Sequence, residues 1–84
     1  MYCVYLLRSE SHPKETYVGF TGNLRERLTH HNLGKSIHTN RFRPWRLAAY
    51  MAFESEAQAR RFEKYLKSGS GRAFANRHLW DRAG

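Results

Sequence analysis

Tyr5 and Tyr17 stand in two short apolar segments, Cys3-Val4-Tyr5 and Tyr17-Val18-Gly19, ahead of a helix-like stretch that carries Arg27 and His31 one turn apart. Two phenols, a guanidinium and an imidazole brought together suit chemistry on a phosphodiester. Its hydrolysis needs an activated water, stabilisation of charge on the phosphoryl oxygens and help for the leaving oxygen. Tyr17 is the candidate that receives or relays the water proton. An ordinary phenol titrates near ~10, so Tyr17 needs a cationic neighbour or a second base, and His31 or Arg27 can serve. Taken singly, each group has a packing alternative: a strand tyrosine with a satisfied hydroxyl, or a half-exposed helix face for Arg27 and His31.

The elements that must position these groups are legible in outline. Tyr2 to Leu7 is apolar on both alternating faces, which fits a short buried strand, and Thr16 to Phe20 reads as its antiparallel partner across an irregular turn at Arg8 to Glu15. Period-two alternation puts Tyr17 and Gly19 on one face, Val18 and Phe20 on the other, and lets Tyr5 and Tyr17 share a face. Gly19 then leaves open space beside Tyr17 for a ligand to approach. Asn23 with Glu26 three residues later, and Gly34 beyond the last periodic residue, predict a helix from about Leu24 to Leu33. Its inward arc holds Leu24, Leu28, Arg27 and His31. A desolvated Arg27 at the edge of that arc calls for a partner.

Lys35 to Pro44 has no period and reads as a basic loop; Trp45 to Phe53 is apolar and aromatic-rich and completes a three-stranded sheet. Ser55 with Gln58 opens a second helix to Lys67 or Ser68, on which Ala59, Phe62, Glu63 and Leu66 share one arc. Glu63 is therefore a carboxylate on an otherwise apolar face, paired with an arginine of its own helix or with Arg27 across the core if its role is structural. Ser68 to Arg72 alternates Ser and Gly as a loop able to approach phosphate, ahead of a short third helix with Phe74, Asn76, Arg77, Trp80 and Arg82. The expected architecture is α/β: a small three-stranded antiparallel sheet flanked by about three helices.

Length and charge bound the function. With 84 residues the chain closes one hydrophobic core, so residues 1–84 read as a single domain. The 15 Lys and Arg against 7 Asp and Glu leave a formal charge of +8, which predicts attraction to a polyanion. Lys35, His38, Arg41, Arg43, Arg72 and Arg77 are the candidate nucleic-acid contacts. One cysteine cannot form an internal disulfide, and without regularly spaced ligand pairs the histidines do not make a structural zinc site. No apolar run approaches the ~20 residues of a membrane span, and the N-terminus lacks a signal pattern, so a cytoplasmic protein without a membrane partner is expected.

The ordered set of Cys3-Val4-Tyr5, Tyr17-Val18-Gly19, Thr21, Asn23, Leu24, Arg27, His31, Asn32, Ala59, Glu63, Leu66 and Lys67 resembles the GIY-YIG nuclease family, in the form of a small single-domain bacterial-type member. Cys3 stands where the family name has glycine, and Val4 and Val18 where it has isoleucine; neither change removes a reactive group. The resemblance implies a metal-dependent endonuclease that hydrolyses DNA, in a DNA-repair setting, with RNA left open. It implies that Tyr17 and Arg27 are catalytic and that Glu63 binds one divalent ion, Mg²⁺ or Mn²⁺, with Tyr5 and His31 completing the catalytic set. Arg27 then stabilises phosphoryl charge, and Tyr5 orients Tyr17 or the phosphate. Asn76 is a further candidate, since some relatives use an amide after the metal-binding acid. The alternative is a nucleic-acid-binding module of the same fold with little or no cleavage. Family members often carry a targeting domain, so weak binding, a homodimer or a separate targeting partner is expected here.

Overall fold

The computed structural model describes residues 1–81. Its elements are β1 (Tyr2–Ser9), β2 (Thr16–Thr21), α1 (Leu24–Asn32), a single 3-10 turn (Asn40–Phe42), β3 (Trp45–Phe53), α2 (Glu56–Leu66) and α3 (Gly69–His78). The three strands form one antiparallel sheet in the order β2-β1-β3. The expected α/β architecture of three strands and three helices is thus the observed one. No helix among the described residues is long and apolar enough to cross a membrane.

β1 is apolar on both faces because it is the central strand and both its faces are covered. Val4 and Leu6 are fully buried against Ala59, Leu66 and Ala75 of α2 and α3. Tyr5 and Leu7 point the other way, into a second cluster with Trp45 and the half-buried Tyr17, Leu24 and Leu28. The sheet therefore separates two small cores, one under α2 and α3 and one under α1. Cys3 is buried and free, as expected of a strand residue.

Local chemistry sets the element boundaries. The Asn23 side chain accepts the Glu26 N–H at 3.1 Å and caps α1. Ser55 does the same for Gln58 at α2. At the far end of α1, Asn32 uses both ends of its amide on one residue: Oδ1 accepts the Trp45 N–H at 2.6 Å and Nδ2 donates to the Trp45 carbonyl at 3.0 Å. That pair of bonds fixes the start of β3 against α1. β3 then pairs with β1 from Trp45 to Phe53, with one register irregularity between Leu6 and Leu7 that leaves Ala48 unpaired.

The Ser/Gly segment departs from the sequence expectation. It is no loop: Ser68 caps α3 by accepting the Gly71 N–H at 3.2 Å, and Gly69 to Arg72 form the opening turn. Gly71 serves close packing, since a Cβ there would overlap the Tyr65 carbonyl. The glycines thus let α3 fold back on the end of α2, and the phosphate-approaching loop is withdrawn. Arg82 lies outside the described residues.

Candidate active site

Strand register brings the two tyrosines together. Tyr5 is opposite Gly19 and Leu7 is opposite Tyr17, so all four side-chain positions lie on the α1 face of the sheet. The Tyr5 and Tyr17 rings are 6.2 Å apart, tilted by 39°. The space above Gly19 is occupied by the Tyr5 ring rather than open to a ligand. A Cβ on Gly19 would overlap the Tyr5 ring and hydroxyl and approach Tyr17 Cε2 to 2.9 Å. Glycine is the residue that lets a phenol on the central strand pass over the edge strand.

His31 closes the cluster from α1. It is 1% exposed, and its Nε2 lies 2.9 Å from the Tyr5 hydroxyl. Its Nδ1 lies 2.7 Å from Thr39 Oγ1, which is itself buried. The Tyr17 ring meets the imidazole at 5.0 Å in an edge-on contact. Both ring nitrogens are therefore engaged, and the hydrogen bond of His31 goes to Tyr5 rather than Tyr17. Thr39 was not legible as a site residue, because it sits eight positions beyond His31 in an aperiodic segment.

Burial dominates the electrostatics of these rings. It pushes the Tyr5 phenol well above its ordinary value; Tyr17 adds to the rise, Arg27 partly offsets it and Glu63 adds again. Burial also pulls His31 below its ordinary value, and the positive charges of Arg27 and His30 act in the same direction. At neutral pH, Tyr5 is a phenol and His31 a neutral imidazole. The sign for stability follows by linkage. An unfolded histidine takes up a proton near ~6.5 while the folded one resists, so stability is lost as pH falls below that value and levels off once the folded ring is charged. Chemical denaturation between pH 8 and about 5 is expected to show this loss, and His31→Gln to flatten it.

Arg27 is exposed, while Leu24 and Leu28 on the same helix turn inward. The expected desolvated guanidinium with a compensating partner is thus corrected: solvent reaches Arg27, and the long side chain extends past the apolar stripe. Glu63 is half-buried, with its side chain 22% exposed, and Lys67 one turn on donates to its carboxylate at 3.1 Å. Its observed ion pair is with a lysine of its own helix, not with an arginine. Glu63 and Arg27 both act electrostatically on Tyr5, although they come from helices on opposite faces of the sheet.

Where β2 meets α3 and the end of α2, a groove of about 360 Å³ is lined by Tyr17, Thr16, Lys67, Arg72, Asn76 and Trp80, among others, while Tyr5, Arg27, His31 and Glu63 are not part of its lining. Asn76 and Arg72 therefore share a hollow with Tyr17, and Lys67, which carried the family resemblance without a site role in the sequence, joins them. Arg77 lies elsewhere, beside Phe74 and His78 in a separate hollow. Lys35, His38, Arg41 and Arg43 are exposed along the segment between α1 and β3, and the Arg41 guanidinium sits 5.6 Å from the centre of the Phe42 ring. No group of three or more His, Cys, Asp or Glu side chains gathers as a metal cage among the described residues. A single accessible carboxylate nonetheless fits an ion such as Mg²⁺, which is held through one or two carboxylates and otherwise by water and substrate phosphate.

Comparison with known proteins places this geometry in a lineage. Residues 1–77 match the model of the GIY-YIG catalytic domain. The chain is 39% identical over 69 residues to the structure-specific endonuclease subunit SLX1 of Podospora anserina, covering 75% of this chain and 20% of that protein. It is 38% identical over 66 residues to the SLX1 homolog of Giardia intestinalis, covering 74% and 18%. The SLX1 of Scheffersomyces stipitis is 42% identical over 69 residues, covering 74% and 20%. The chain thus spans about a fifth of the length of the curated relatives it matches. With the family model covering nearly all of its length, and with the two tyrosine tripeptides on paired strands beside the α1 histidine, the chain belongs to the GIY-YIG catalytic domain family.

Proposed function

We propose that this chain is a divalent-metal-dependent endonuclease that hydrolyses DNA phosphodiester bonds at the groove beside Tyr17. The observation that carries the reading is the direct packing of Tyr5, Tyr17 and His31 with both phenols on one sheet face. A binding module needs only basic surface. It has no use for a buried phenol–imidazole hydrogen bond packed against the tyrosine that lines its groove.

In this reading Tyr17 accepts or relays the proton of the attacking water. Arg27, exposed and always charged, reaches the phosphoryl oxygens with its fork of donors. Tyr5 is held by His31 as a neutral phenol and orients Tyr17 or the phosphate. Glu63 is the residue that would hold Mg²⁺ or Mn²⁺, and Lys67 beside it is placed to bind phosphate. The bound ion would neutralise charge on the leaving oxygen. Arg72 and Asn76 bind the scissile strand within the groove, and Lys35, His38, Arg41, Arg43 and Arg77 hold the flanking backbone.

The relatives named structure-specific endonuclease subunits support a substrate selected by its structure and a separate partner subunit for this domain. The test is nicking of supercoiled plasmid and of branched and linear duplexes with Mg²⁺ or Mn²⁺, beside Tyr17→Phe. Metal-dependent cleavage lost in the variant supports the reading. Salt-sensitive binding without any nicking would mark a binding module instead.

Binding itself is expected to fall steeply with salt and to show little base preference, since phosphate contacts position a duplex without reading it. Four such contacts correspond to roughly a hundredfold loss of affinity between about 50 and 200 mM salt. Fluorescence anisotropy across that range checks this, and a flat response would dismiss the phosphate-tracking surface.

A further inference from the structure

Arg8, at the end of the central strand, is a half-buried cation held in place by the fold itself. Its Nη1 donates to the Pro13 carbonyl, and its Cζ lies 5.1 Å from the centre of the Trp80 ring. The indole packs in turn against the core around Val4 and Leu6, so the guanidinium rests on an aromatic seat that is itself fixed. Among the described residues neither Arg8 nor Lys14, in the turn between β1 and β2, forms an ion pair. A partly desolvated guanidinium that the fold positions without neutralising calls for an anion from outside.

The two cations share a hollow of about 500 Å³ lined by Arg8, Lys14, Thr16, Asn76, Trp80 and Asp81. Two positive side chains against one carboxylate leave it positive. Thr16, Asn76 and Trp80 also line the groove at Tyr17, where Lys67 and Arg72 stand. The two hollows therefore adjoin, with Thr16 paired opposite Arg8 in the β1–β2 register at the junction. A single small anion would need only one of them. Cations spaced along both match a chain of phosphates, and the planar fork of an arginine suits phosphate oxygens.

We propose that the hollow at Arg8 and Lys14 is a second phosphate subsite, which takes a backbone phosphodiester of the nucleic-acid strand that also lies in the groove at Tyr17. Trp80 seats Arg8 instead of stacking a base, so the subsite fixes the path of the strand without reading its sequence. That this strand is the one cleaved rests on the nuclease reading; the phosphate subsite does not.

The test is titration of the metal-free protein with a short oligothymidylate that lacks terminal phosphates, and separately with inorganic phosphate, followed by the indole N–H resonances. The Trp80 resonance is expected to shift with the oligonucleotide, while that of Trp45, whose buried indole donates to the Thr39 carbonyl, stays in place. Arg8→Gln keeps a donor for the Pro13 carbonyl without the charge. It is expected to bind the oligonucleotide about tenfold more weakly, with the slope of log affinity against log salt shallower by about 0.7. Lys14→Gln, in the exposed turn, is expected to make the slope shallower in the same way. A Trp80 resonance that stays still while the oligonucleotide binds overturns the proposal, and that result needs no variant to fold. Native affinity and native slope in a folded Arg8→Gln overturn it as well. A Trp80 shift with inorganic phosphate and none with the oligonucleotide marks a free-anion site and overturns the assignment to a strand. Arg8-dependent binding in a protein that nicks no DNA with Mg²⁺ or Mn²⁺ overturns the nuclease reading and leaves the subsite in place.

Discussion

Glu63→Ala is expected to abolish metal-dependent nicking, by roughly a hundredfold or more, while leaving the melting temperature and DNA affinity close to native. The kinetic part follows from removing the one carboxylate proposed to hold the ion, in a site with no cluster of alternative ligands among the described residues. The thermal part follows from the ion pair that is lost. Lys67 is half-exposed and four residues along the same helix, an arrangement worth only about 0.3–0.5 kcal/mol. A structural pair with a buried Arg27 would have implied about 3–5 kcal/mol, but Arg27 is exposed. Melting and cleavage measured on one preparation separate the two accounts. A large fall in melting temperature, or retained activity, would remove Glu63 from the mechanism.

Gly19→Ala is expected to cost both stability and activity, because the added methyl falls on the Tyr5 ring and hydroxyl and crowds Tyr17. Tyr5 is 2% exposed on the central strand, with Leu7 beside it, so its ring has little room to retreat. Overpacking of this kind costs about 1–3 kcal/mol. Any retreat also breaks the 2.9 Å bond to His31, and nicking should fall by roughly a hundredfold, as when one positioned donor is lost from an active site. Gly22→Ala is the matched control, since a Cβ there meets nothing within 4 Å. If Gly19→Ala cleaves and melts like the control, the Tyr5 ring does not need the passage over the edge strand and its role in orienting Tyr17 or the phosphate fails.

The elements of this fold were largely determined by local sequence. Alternating apolar residues at β1, the aromatic run of β3, and the caps at Asn23 and Ser55 each act over a few positions, and the helices and strands begin where those residues stand. Period-two alternation allowed Tyr5 and Tyr17 to share a face, and the β1–β2 register decided that they do. The sequence left Arg27 open between a half-exposed face and a desolvated one, because a helical arc gives direction without saying how far the neighbouring strand edge extends over it. Nor was the role of Ser68 to Gly71, whose glycines answer to the Tyr65 carbonyl across a tight helix junction. Thr39 became visible only when Asn32 and Trp45 drew the 3-10 segment against α1. Types and faces of side chains are set by the chain's own periods, whereas partners and burial depend on where distant segments close, and here that closure determined which groups His31 and Glu63 touch.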